Sequence, residues 1–480
     1  MLSTKCKKFK GEIENYLRNR QNQFESKIDR LLVSLRLKTW LRRNNIIKKD
    51  GYPASHLFFV MFMLPLLKLN TIHCFCSKGW RQWSPSGKDT FYRFKQSAFR
   101  WRSFTYKFLK ELFKKHPIPD GEKFFVIDDT VLPKRGRYMQ NVSYIYDHSR
   151  GRSVLGYCLV KLGLLSPTGY YPLDFSFWFS STRNAKSPET VIGNPRSISG
   201  QRSYEAATCT KLDLAQQLIS RALACGFRAD YLLFDSWYAW PSMISAIRGL
   251  DDAPHVICRL KDSKTKYGYK GKKYQLSVLY QKVKSQLQKS KRTGLLLKRV
   301  TVTMPGSDQP VVIVFAKGYH EPEAESEKGK KRCEQPKWVA FLSTDLSLHS
   351  ATIIKHYTKR WATEVCFKEC KQLLGLGKEQ SQSFEAQVFA ATLSLLRYAV
   401  LSHLNEVENT GSKGILFEHL ADEAAQITYV QRLWQFFRNL FSISFSKIFE
   451  LFKIEEEFQS YFNVLEQAVI GCVPALGCET

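Results

Sequence analysis

At 480 residues the chain has length for about three domains and at least one large core. Lys and Arg total 73 against 43 Asp and Glu, and the resulting formal net charge of +30 points to a polyanion, most simply a nucleic acid. Hydrophobic residues at 44% and aromatic residues at 14%, beside 26 Gly and 17 Pro, exclude a disordered or collagen-like chain.

The opening Met1-Leu-Ser-Thr-Lys-Cys-Lys-Lys meets charge before any apolar stretch forms, so no secretory signal is expected and a cytoplasmic location follows. Twelve cysteines lie scattered without a repeating framework, which reads as reduced thiols. Residues 1 to about 115 are predicted helical, with apolar positions recurring at three and four and with basic clusters such as Lys38-Thr-Trp-Leu-Arg-Arg and Arg100-Trp-Arg. The mixture suits DNA binding or docking; the bland alternative is a solvated basic face. Leu57 to Leu67 contains Pro65 and has half the roughly 20 residues of a membrane span, so a buried helix is expected and no membrane partner. His73, Cys74 and Cys76 lack the second pair of a zinc site and read as packing residues.

From about residue 121 the pattern turns to short β-like runs: Lys123 to Thr130, Val154 to Leu165, and Tyr170 to Phe179 after a Ser-Pro-Thr-Gly turn. Residues 204 to 226 read as one helix, followed by the strand Tyr231-Leu-Leu-Phe-Asp235. His255 opens another strand, and residues 261–337 alternate β runs with charged loops, Glu321 to Arg332 among them, as a mostly β insertion would. After Trp338 to Thr344 the signal is helical to about 405, and residues 406–480 form a helical, aromatic and basic tail.

Three places could carry chemistry. Asp128 or Asp129 closes one β-like run and Asp235 closes another, at the strand edge where open α/β sheets bind ligands. Alternation sends Asp128 and Asp129 to opposite faces, so only one points into a given site, and a turn or cap role competes for either. On the helix that follows, Tyr357, Arg360, Glu364 and Lys371 fall within about 60° of arc at 100° per residue, and Lys368 joins their strip. An acid in a row of cations is either a surface ion-pair ladder or a phosphate-facing site.

Ile127-Asp128-Asp129-Thr130, Phe234-Asp235-Ser-Trp-Tyr238 and Tyr357-x2-Arg360-x3-Glu364-x6-Lys371 resemble the three signatures of DDE-type insertion-sequence transposases, the last with the spacing of the insertion-sequence-four family. The resemblance runs from about 85 to 405, counting Lys88-Asp-Thr-Phe-Tyr-Arg-Phe. It implies an α/β, ribonuclease H-like core in two parts, 116–260 and 338–405, interrupted by the β insertion, with the helical region 1–115 binding DNA. It also implies cutting and joining of element ends by two magnesium ions, replaceable by manganese, held by the catalytic acids Asp128, Asp235 and Glu364. Asp128 is chosen over Asp129 by the family pattern alone. Tyr357, Arg360, Lys371 and Lys368 are implied as DNA contacts. Double-stranded DNA with terminal inverted repeats, a target DNA, a homodimer on paired ends and association with the nucleoid complete the expectation.

The chemistry suits these residues. In-line transfer at phosphorus develops charge on oxygens that two cations about 4 Å apart stabilise, and magnesium needs only hard carboxylate ligands beside phosphate and water. Trp237 and Tyr238 could stack on an unpaired base, although aromatic residues beside a strand are more often core. Two readings compete: a non-catalytic DNA-binding descendant of such an enzyme, and a tyrosine recombinase using Tyr357 as nucleophile with His356 and Arg360 assisting.

Overall fold

The computed structural model describes residues 26–69, 71–77, 87–148, 150–180, 194, 196–307, 309–319 and 338–425. The expected charged loop 321–332 and tail residues 426–480 lie outside them. The chain falls into two compact units, one of residues 1–99 and 407–480 and one of Arg100–Glu406.

The first unit is helical where described: α1 (Lys27–Ser34), α2 (Leu37–Arg43), α3 (Ala54–Met63), α4 (Ile72–Ser77), α5 (Lys88–Lys95) and the helical residues 413–425. Ser26 and Asp29 close a capping box that starts α1, whose Ile28, Leu31 and Leu32 are buried. Helix α3 is apolar on every side and correspondingly buried, which is why the Leu57 run needs no membrane. Lys38, Arg42 and Arg43 stand exposed on α2. Lys27–Glu408 at 2.8 Å and Lys68–Glu418 at 2.9 Å tie the two chain segments of this unit together.

The second unit begins with α6 (Trp101–Lys115) and is built on one twelve-stranded mixed sheet. In chain order come β1 (Phe124–Pro133), β2 (Ser143–Asp147), β3 (Arg152–Ser166), β4 (Gly169–Trp178), α7 (Ile198–Thr208), α8 (Lys211–Ala224), β5 (Tyr231–Phe234), α9 (Pro241–Arg248) and β6 (His255–Leu260). Strands β1, β5 and β6 are parallel neighbours, while β3 pairs antiparallel with β1, β2 and β4. Phe124 to Ile127 are all buried, as a strand covered on both faces must be.

The stretch expected as a β insertion supplies β7 (Lys266–Tyr269), β8 (Lys272–Gln275), α10 (Leu276–Val283), β9 (Gln288–Lys289), β10 (Leu296–Thr303) and β11 (Pro310–Lys317). These strands extend the same sheet, because β11 pairs with β12 (Val339–Ser343) and β12 pairs with β6. Helices α11 (Ser350–Thr358), α12 (Trp361–Gln372) and α13 (Phe384–Glu408) follow. Helix α13 alone among the described helices is long and apolar enough to cross a membrane, and 94% of its apolar window is buried inside the protein, as a core helix is.

Two expected helices are each broken in two. Residues 204–226 split at Cys209–Thr210, where Thr210 and Asp213 form a capping box that restarts the chain as α8. The Tyr357–Lys371 helix splits at Lys359–Arg360, two residues that keep right-handed backbone angles but bond as a tighter turn.

Candidate active site

Strand pairing brings the first two acids together. Val126 on β1 and Leu233 on β5 are the last register partners, and Asp128 and Asp235 each lie two residues further on, Asp128 within β1 and Asp235 just past the end of β5. Paired strands run about 4.8 Å apart. Two backbone amides steady the carboxylates: Asp129 N–H donates to Asp128 Oδ1 at 2.8 Å, and Trp237 N–H to Asp235 Oδ1 at 3.0 Å.

Arg360 brings in the third acid. Its Nη1 lies 3.2 Å from Asp128 Oδ2 and its Nη2 2.7 Å from Glu364 Oε1, so one planar fork joins β1 to the first turn of α12. Only 9% of the Arg360 side chain is exposed, against 15% of Asp128 and 32% of Glu364. Burial pushes the Asp128 carboxyl up to about 7; Arg360 opposes that rise, and the charges of Asp235, Asp129 and Glu364 add to it. Asp235 is raised as well, first by burial, with Arg360 opposing. The acids therefore sense one another across a poorly solvated site.

The cationic strip is less uniform than helical geometry suggests. Lys371 Nζ donates to Thr130 Oγ1 at 2.7 Å on β1, and burial lowers its pKa. Lys368 is exposed. Tyr357, expected as a DNA contact, is 2% exposed in the DNA-free protein, its ring 4.9 Å from that of Phe341 and 5.7 Å from the Arg360 guanidinium. It braces Arg360, and its burial beside the equally buried His356 also removes it as a recombinase nucleophile.

The aspartate doublet separates cleanly. Asp129 faces α8, accepting from Lys211 Nζ at 2.7 Å, Tyr238 Oη at 2.9 Å and Cys158 Sγ at 3.1 Å. The aromatic pair separates too, Tyr238 buried at 1% and Trp237 standing 44% exposed with Lys211 Nζ 5.0 Å from its ring. Reading the sequence passed over Lys161, the β3 partner of Asp128, which is fully buried with its ammonium 3.9 Å from the Phe367 ring and 4.8 Å from that of Tyr170. A lysine inside the apolar run Leu159 to Leu165 was the available signal.

Three carboxylates are hard oxygen donors of the kind magnesium and manganese take, and the Asp128 carboxyl, raised first by burial, also feels the charges of Asp235, Asp129 and Glu364. The donor chemistry fits a divalent ion. Among the described residues, however, no three His, Cys, Asp or Glu side chains form a ready ligand group, and Arg360 pairs with both Asp128 and Glu364. The described cysteines, Cys74 and Cys76 included, are free thiols.

Residues 81–267 match the family described as DDE superfamily endonuclease, and residues 203–399 match the transposase DDE domain. The first match contains Asp128 and Asp235, the second Asp235 and Glu364. A solved synaptic complex of piggyBac transposase with hairpin DNA aligns at 12% identity and a TM-score of 0.41, over 83% of this chain and 77% of that one. No curated protein matches. The two domain matches support a DDE-type transposase.

Proposed function

We propose that this chain, with its DDE-type transposase domains, is a cut-and-paste transposase of the insertion-sequence-four type. It cuts DNA at terminal inverted repeats and joins the freed ends to a target. The observation that carries the reading is the Arg360 fork, which gathers Asp128 and Glu364 where Asp235 already stands beside Asp128. Strands β4, β3, β1, β5 and β6, with the acids at the carboxyl edge of the parallel part, are the proposed ribonuclease H-like core.

In this reading Asp128, Asp235 and Glu364 hold divalent magnesium or manganese, which when bound stabilises the attacking and leaving oxygens of phosphoryl transfer. Arg360 neutralises two of the acids in the DNA-free protein and offers its fork to a phosphate of the bound end. Tyr357 holds that guanidinium, while Lys371 tethers α12 to Thr130 beside the acids. Lys368 faces outward for a neighbouring phosphate, and the exposed Trp237 presents a ring on which a base can stack. The basic helices of the first unit contribute duplex affinity, and two ends require at least two copies of the chain.

The test is supercoiled plasmid carrying the element's terminal repeats, incubated with magnesium or manganese. Wild type cuts at the repeat boundary, whereas Glu364→Gln binds the ends and leaves them intact. Equal cleavage by the two proteins would remove the acid assignment, and binding without cleavage by wild type would favour a non-catalytic descendant.

A further inference from the structure

We infer that Tyr238 and Lys211, acting through Asp129, are positioning residues that set the separation of Asp128 from Asp235. The inference rests on the metal-holding reading of those acids. Register pairing between β1 and β5 ends at Val126–Leu233, two residues short of both aspartates, and β5 itself ends at Phe234. The β1–β5 ladder therefore stops short of both acids: β3 still pairs with β1 at Asp128, but no backbone pairing spans from Asp128 to Asp235.

A side-chain tie spans that gap. Asp129 is the residue after Asp128, and Tyr238 lies one turn of loop beyond Asp235; the tyrosine hydroxyl donates to Asp129 Oδ1 at 2.9 Å. The other carboxylate oxygen, Oδ2, takes Lys211 Nζ at 2.7 Å and Cys158 Sγ at 3.1 Å, so α8, β3 and the loop after β5 all close on one acid. Lys211 is itself confined, its ammonium 5.0 Å from the Trp237 ring and 5.2 Å from that of Trp178. Trp237 returns to the site through its backbone amide, which donates to Asp235. The result is a closed circuit from Asp128 through Asp129, Lys211 and Trp237 to Asp235, with Tyr238 as its shortcut.

Packing alone does not require this chemistry. A phenylalanine would fill the space of the Tyr238 ring and removes only a neutral donor from Asp129, leaving its ion pair with Lys211 in place. Groups that hold metal ligands in place, by contrast, typically change metal affinity by about 10 to 100-fold when removed.

The experiment compares wild type with Tyr238→Phe in manganese binding to the full-length, DNA-free protein by calorimetry and in the manganese concentration for half-maximal end cleavage. We expect both midpoints to rise about tenfold or more. Thermal stability should change little, and cleavage at saturating manganese should stay within about threefold of wild type. Lys211→Met combined with Asp129→Asn, which leaves no unpaired carboxylate behind, moves the midpoints in the same direction and keeps the test alive if Tyr238→Phe folds poorly. Tyr238→Phe added to Asp129→Asn brings little further loss, because Tyr238 acts through that carboxylate. Unchanged midpoints in a wild type that binds manganese and cleaves would overturn the positioning role alone. So would a loss of cleavage at every manganese concentration with binding intact. A wild type that neither binds manganese nor cleaves would overturn this role together with the proposed function.

Discussion

Arg360 serves two buried acids at once, so its substitution is felt by both. Arg360→Ala removes the one influence from a neighbouring side chain that holds the Asp128 carboxyl down, and breaking a buried pair from one side costs about 3–5 kcal/mol when the remaining charge cannot be neutralised. Here Asp128 can take a proton, so the loss in urea unfolding should be smaller at pH 5 than at pH 8. Arg360→Lys keeps the charge and loses the fork, and should recover stability only in part. Asp128 gives the matching pH prediction. Its folded pKa, about 7, lies above the unfolded carboxyl value, so its contribution to stability is full at low pH and falls as pH rises toward and past 7. Asp128→Asn should therefore gain on wild type between pH 4 and 8 in metal-free urea titrations. Metal must displace that same proton, so manganese affinity of wild type should climb by about a decade per pH unit below 7 and level off above it.

Elements show what the sequence could and could not say about this site. The strands bearing the first two acids were legible as short apolar runs reaching an acid, although β1 continues past Asp128 to Pro133, and the amphipathic period put Arg360 and Glu364 on one face. The period ran straight over the breaks at Thr210 and Lys359, since a break that preserves handedness leaves apolar spacing almost undisturbed. The Thr210-x-x-Asp213 capping pattern was a readable mark of the first break; the second carries no comparable mark. Burial of Tyr357 was hidden because a shared helical face does not say how deep each residue sits, and the sheet's continuation from β12 into β11 was hidden because long-range register is not locally encoded. One element-level contact is testable. Gly163 sits at a bulge where an added Cβ would run into the Tyr170 hydroxyl, the group that bonds Thr363 on α12 at 2.9 Å. Gly163→Ala should cost about 1–3 kcal/mol in urea unfolding through overpacking, and Tyr170→Phe should recover little of it, because ring carbons of Tyr170 block the added methyl as well as the hydroxyl.

Across the whole molecule, the positive excess spans both units and its larger part lies in Arg100–Glu406 with the acids, but α2 belongs to the other unit, so its share in binding can be tested apart from the chemistry. The acids all lie within Arg100–Glu406 and their nearest cations, Arg360, Lys211 and Lys371, are engaged with side chains of β1. Lys38, Arg42 and Arg43 stand exposed on α2 and carry charge that a phosphate chain would neutralise. Each phosphate contacted adds about 0.9 to the slope of log affinity against log salt. A triple variant Lys38→Gln, Arg42→Gln, Arg43→Gln should lower that slope by up to about 2.7 for duplex end DNA while leaving the manganese midpoint of the DNA-free protein where it was. Glu364→Gln should do the reverse, moving the manganese midpoint and leaving the salt slope intact. Fluorescence anisotropy from about 50 to 200 mM salt reads the first quantity and calorimetry the second. A triple variant with the wild-type slope would take α2 out of the DNA-binding surface, and the charge excess would then have to meet DNA through another face of the molecule.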